Sequence, residues 1–120
     1  MLSVVPLPPM QAGAPATSSS APSPCNAMAQ LCADLPHSLS GEIILDGFAA
    51  VHWESTREPS GVTYRIELQS LAIDAPGDGT CSSGSAYRQD VPAHDGDRVT
   101  VRVLDSDGRT RCHARTVIEP

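Results

Sequence analysis

Val62-Thr63-Tyr64-Arg65-Ile66-Glu67-Leu68-Gln69 decides the fold class. Val62, Tyr64, Ile66 and Leu68 fall on one side of an extended chain, and Thr63, Arg65, Glu67 and Gln69 fall on the other. A period of two with one apolar side is the signature of a strand that buries one face and wets the other. Upstream, Phe48 to Glu54 repeats the pattern, with Ala49, Val51 and Trp53 set against Ala50, His52 and Glu54. Gly41 to Asp46 contributes Ile43, Ile44 and Leu45. Downstream, Arg98 to Leu104 alternates through Val99, Val101 and Val103, Ala86 to Val91 alternates more weakly through Tyr87, Gln89 and Val91, and Arg111 to Ile118 completes the set.

Turn-forming clusters separate these segments: Asp46-Gly47, Glu58-Pro59-Ser60-Gly61, Ala75-Pro76-Gly77-Asp78-Gly79, His94-Asp95-Gly96-Asp97 and Asp105-Ser106-Asp107-Gly108. Strands joined by turns with no helix between them pair antiparallel, so the expectation is an all-β, two-sheet antiparallel sandwich over residues 37–120. The stretch from Leu68 to Ser85, with Gly77, Gly79 and Gly84, calls for an irregular loop or an additional short strand. Aromatic residues make up only 3% of the chain. The core is therefore expected to be aliphatic around one large ring, with Trp53, Tyr64, Ile66, Leu68, Val99, Val101 and Val103 as its members.

Ahead of the sandwich the composition changes twice. Residues 1–24 are Pro, Ala and Ser with almost no charge, a composition that buries too little apolar surface to offset the entropy of ordering, so a flexible or polyproline-like tail is expected. Residues 25–36 are read as a short helix or linker. Cys25, Met28, Cys32 and Leu35 recur at helical spacing, Ser23 and Pro24 suit a cap and first turn, and Pro36 is expected to end the helix.

The order of features in residues 38–118 resembles a fibronectin type III domain. The residues that carry the likeness are Trp53 on the second strand, Tyr64-Arg65-Ile66-Glu67-Leu68 on the third, and Val91-Pro92-Ala93-His94-Asp95-Gly96-Asp97 leading to the sixth. Val99-Thr100-Val101-Arg102-Val103 and an Asp/Gly turn ending at Gly108 follow. The resemblance implies a binding or spacer module with no catalytic residue and no cofactor.

Function classes narrow from charge and chemistry. The net charge of −6, from 14 acidic and 8 basic residues, argues against nucleic acid or anionic lipid as partner. No stretch approaches the ~20 apolar residues that cross a bilayer, so membrane insertion is not expected. Prolines 6, 8 and 9 interrupt Met1 to Met10 and no positive charge precedes it, which makes it a poor signal peptide. All eight basic residues are Arg, a bias read as genomic.

Cys25, Cys32, Cys81 and Cys112 are disulfide candidates. If Cys25 and Cys32 share a helix they stand about 10.5 Å apart, beyond the roughly 7 Å that a bridge spans. Each would then pair with Cys81 or Cys112. Without a helix, Cys25 with Cys32 and Cys81 with Cys112 is the natural arrangement. Their spacing does not fit zinc knuckles. Asp105-Ser106-Asp107-Gly108 lacks the third Asp and the Glu of a calcium loop and reads as a hairpin turn. Asp95 and Asp97 would join Asp105 and Asp107 in a cation site only if both loops emerged at one end. His37, His52, His94 and His113, with Ser82, Ser83 and Ser85, show no spacing that brings a base to a nucleophile. The expectation is a non-catalytic module that binds a protein partner through loops or an edge strand, in a secreted, surface or periplasmic setting. A structural subunit of an intracellular assembly is the alternative.

Overall fold

The computed structural model of the chain describes residues 27–81 and 83–120. The tail and helix-cap readings on residues 1–24, and those on Cys25 and Ser82, lie outside the described residues. A short helix, α1 (Met28–Ser38), precedes seven strands: β1 (Ser40–Leu45), β2 (Phe48–Ser55), β3 (Thr63–Leu68), β4 (Leu71–Pro76), β5 (Ser85–Pro92), β6 (Arg98–Leu104) and β7 (Thr110–Val117). They form two antiparallel sheets, β1-β2-β5 and β4-β3-β6-β7. The stretch left open between a loop and a strand contains β4, paired with β3 through a tight turn at Gln69 and Ser70, and then irregular chain over 77–81 and 83–84.

Alternation delivers the core. Ala49, Val51 and Trp53 of β2 and Val91 of β5 meet Tyr64, Ile66 and Leu68 of β3 and Val99, Val101 and Val103 of β6, all buried. Trp53, Tyr64 and Tyr87 cluster with ring centroids 5.0 to 5.5 Å apart, and Trp53 and Tyr64 are the largest of the fully buried side chains, whereas Phe48 is 46% exposed.

The helix differs from its expected end. It runs to Ser38 with Pro36 inside its last turn, where the ring deletes one intrahelical hydrogen bond. Tertiary anchoring outweighs that loss: Leu31 and Leu35 are fully buried, and the Leu39 N–H closes the helix on the Leu35 carbonyl at 3.0 Å. Cys32 is joined to Cys112 of β7 across 5.8 Å between Cα atoms, the pairing that a helical segment permits.

Helix, disulfide and strand ends together close one lateral side of the sandwich. The β1 strand pairs only as far as His52 of β2, and α1 takes over from there. The Ser38 hydroxyl donates to the Glu54 carbonyl at 2.9 Å and accepts the Glu54 N–H at 3.0 Å, as a neighbouring strand would. The Asp34 carboxylate accepts the Thr56 N–H and hydroxyl, both at 2.9 Å. The outer edge of β1 is bonded to the chain end: the Ile43 N–H donates to the Glu119 carbonyl at 2.8 Å and the Glu119 N–H to the Gly41 carbonyl at 3.1 Å. A Cβ at Gly41 would stand 2.5 Å from Ile118 Cδ1, so any larger residue there displaces the Ile118 side chain.

Candidate functional site

On the opposite lateral side lie the outer edges of β4 and β5, and no described strand pairs with either. The direction of their backbone groups follows from strand alternation. The Ala93 N–H donates to the Gly47 carbonyl on the β2 side, so the odd-numbered residues of β5 address β2. Ala86, Arg88, Asp90 and Pro92 address the open side. Likewise the Gly77 N–H donates to the Val62 carbonyl, which turns Ala72, Asp74 and Pro76 of β4 outward. Each edge therefore ends in a proline at a position whose N–H would have faced outward, a device that limits indiscriminate strand pairing. Between the prolines and the strand starts, the edges keep outward donors at Ala72, Asp74, Ala86, Arg88 and Asp90.

Behind this side sits a buried carboxylate. Glu58, fully enclosed in the loop between β2 and β3, accepts the Tyr64 hydroxyl, the Tyr87 hydroxyl at 2.6 Å and the Gly79 N–H at 2.6 Å. Tyr87 in turn accepts the Asp78 N–H at 2.9 Å. One side chain thus ties β3, β5 and the chain at Asp78 and Gly79 together, and Gly77 leaves room beside it, since a Cβ would come within 2.9 Å of the carboxylate. Burial, reinforced by the bond to Glu58, pushes the Tyr64 hydroxyl far above its ordinary range and the Tyr87 hydroxyl up to about 12. Glu58 is closed off from solvent and its oxygens are engaged, so the arrangement holds loops in place and offers no general base to a substrate. Trp53 Nε1 is buried with no hydrogen-bond partner among the described residues.

At the far end of the open side, a cavity of about 230 Å³ is lined by Gly47, Leu68, Leu71, Pro92, His94 and Asp97, among others. Next to it, Leu45 pairs with Phe48 and Phe48 with Pro92, an apolar row across the outer face of the three-stranded sheet. Leu45 and Phe48 are 57% and 46% exposed.

The residues singled out from sequence fall into separate places. Cys81 is disulfide-bonded, as are Cys32 and Cys112. The two Asp-rich loops do not meet: 93–97 leads into β6 and 105–109 leaves it, so they stand at opposite ends of that strand. One carboxylate in each loop instead holds its own turn. Asp97 accepts the His94 N–H at 2.8 Å, and Asp105 accepts the N–H groups of Asp107 and Arg109 at 2.9 and 3.0 Å. The Arg109 N–H is the main reason why the Asp105 carboxyl titrates below its usual range. Among the described residues no cluster of His, Cys, Asp and Glu is arranged to hold a metal ion, and no helix is long and apolar enough to cross a membrane. His37, His94 and His113 are exposed and His52 is half-buried, each on a different element or loop.

Sequence reading missed Glu58 as more than a turn residue. A usable signal was present: two tyrosines on core-facing strand positions need acceptors for their hydroxyls, and a carboxylate in an adjoining loop is the natural one. Comparison of the chain with protein families, with curated proteins and with solved structures finds no match.

Proposed function

We infer that this chain is a non-catalytic protein-binding module, similar to a fibronectin type III domain, of a secreted or surface protein, and that the open lateral side is its binding side. The observation that carries the reading is a contrast between the two sides: outward backbone donors and acceptors remain along β4 and β5, whereas on the other side β1 is bridged to Glu119 and α1 is tied to β7 through Cys32 and Cys112. An exposed edge is a template for an extended segment of a partner, because its ladder of N–H and C=O groups fits a strand. The position of β4 supports the type III likeness over a constant-type immunoglobulin domain, in which the fourth strand joins the sheet of the first, second and fifth; here it lies beside β3. The disulfides at Cys32, Cys81 and Cys112 support an oxidising compartment, where such bonds persist.

Two experiments test the two halves of this reading. Proteins retained from the native source by the immobilised chain are purified and titrated against wild type and the variant Ala72→Pro/Arg88→Pro, in which both outward ladders lose a donor but the inward ladders do not. Loss of binding in the variant is expected, and equal affinities overturn the edge as binding side. Alkylation of natively sourced protein under denaturing, non-reducing conditions is expected to leave the mass unchanged. Addition of alkyl groups would favour the intracellular-assembly alternative.

A further inference from the structure

We propose that the partner of the β5 edge is a second copy of this chain, paired antiparallel about a two-fold axis through Gln89 so that two three-stranded sheets become one of six strands. The proposal rests on the reading of the open side as a binding side and names its occupant.

Three features of β5 point to self-pairing. The first is register. With Gln89 on the axis, Arg88 of each copy stands opposite Asp90 of the other and Ala86 opposite Pro92, and all four residues turn their backbone groups outward. The Arg88 and Asp90 N–H groups and carbonyls are then exchanged in full between copies. The Asp90 carbonyl already accepts Gln89 Nε2 at 3.1 Å, and its second lone pair is free for the new donor. The second feature is proline placement. Pro92 has no N–H to give, and in this register it needs none to receive the Ala86 N–H of the second copy on its carbonyl, so the ladder ends where the proline stands.

The third feature is charge. Arg88 and Asp90 lie on the outer face, about half exposed, with Arg88 Nε donating to Asp90 Oδ1 at 2.8 Å. An Arg-x-Asp pair read antiparallel against itself sets each cation opposite an anion, giving an alternating square of four charges. The β4 edge has no such complement. Its outward carboxylate, Asp74, is taken by Arg65 at 2.8 and 3.1 Å, and its remaining outward side chains, Ala72 and Pro76, carry no charge. An isologous contact of this kind closes on itself as a dimer.

Charge exchange on the full-length chain provides the test, read by sedimentation equilibrium across micromolar to about millimolar concentration. Wild type is expected to dimerise with rising concentration, and the amides of Arg88 and Asp90 to gain hydrogen-exchange protection in step. Arg88→Glu and Asp90→Arg each place like charges opposite one another and are expected to weaken association about 10-fold or more. Mixing the two single variants restores complementarity and is expected to recover dimer as a heterodimer, and the double variant Arg88→Glu/Asp90→Arg is expected to associate as wild type does. Both positions are exposed, and unchanged denaturation midpoints verify that the variants fold. A wild type that stays monomeric throughout the range, single variants that associate as well as wild type, or a mixture that fails to recover dimer each overturn the proposal. None of these results touches the titration with a heterologous partner described above, which stands or falls on its own.

Discussion

The two lateral sides of this sandwich are held by different chemistry. On one, a covalent bond ties α1 to β7, a serine completes the β2 ladder and a backbone bridge joins β1 to Glu119. On the other, the two sheets part along β4 and β5, and the chief link behind them is the Glu58 carboxylate with its tyrosines. The cross-linked side fixes the fold, whereas the side held by one internal network leaves its outer backbone groups unpaired by any described strand, which is the surface proposed above for a partner. The comparison teaches where stability and binding can be changed independently.

The largest effect is expected from Glu58→Ala. It strands the buried Tyr64 hydroxyl and leaves the half-buried Tyr87 hydroxyl and Gly79 N–H without their acceptor, and since a buried unsatisfied group costs about 1–3 kcal/mol, a loss of about 3 kcal/mol in urea denaturation follows. A midpoint near that of wild type would break the idea that this carboxylate holds the open side. Next comes Cys32→Ala/Cys112→Ala, which releases a loop with a sequence separation of 80 and is expected to cost about 2–4 kcal/mol. Faster amide exchange confined to α1, β1 and β7 would sharpen the contrast, and equal acceleration in β4 and β5 would erase it.

Alkaline pH addresses the open side alone. Tyr64 and Tyr87 are the only tyrosines, and both titrate above the ordinary value of 10.0, Tyr87 at about 12. A phenol whose folded value is raised stabilises the fold fully below the unfolded value, and that contribution is lost as pH rises from 10.0 through about 12. Tyrosinate absorbance should therefore be absent at pH 10 in the native domain and appear together with unfolding. Half-ionisation near 10 without unfolding would remove the Glu58 network. The smallest effect is a gain: Gln69 holds a φ of 53° in the β3–β4 turn, and Gln69→Gly should stabilise by up to about 1 kcal/mol in the same denaturation assay.

Much of this architecture is legible in the residues themselves. The alternation of Val62 to Gln69, of Ala49-Val51-Trp53 and of Val99-Val101-Val103 survives folding because each strand turns that face to the core, although Ala50 on the other face of β2 is buried as well. The β4 strand was harder to read, since an edge strand with mostly exposed residues, Leu71 to Pro76, has little apolar contrast to display. The end of α1 was misread because Pro36 speaks only for local geometry, while Leu31 and Leu35 pack against strands distant in sequence. Glu58 meets Tyr64, Gly79 and Tyr87 at separations of 6, 21 and 29 residues, and no periodicity encodes such a meeting. The distinction between closed and open sides is likewise invisible before the strand order is known.

The bond from Cys32 to Cys112 also has a mechanical meaning. Tension applied through the two ends of the chain enters at the helix and leaves through β7, and the sulfur bridge carries it past all of β1 to β6. Without the bridge, the enclosed segment would pay out about 3.3–3.6 Å per residue as it unravelled. With it, the chain between Cys32 and Cys112 cannot lengthen, and the sandwich behaves under load as an inextensible bead.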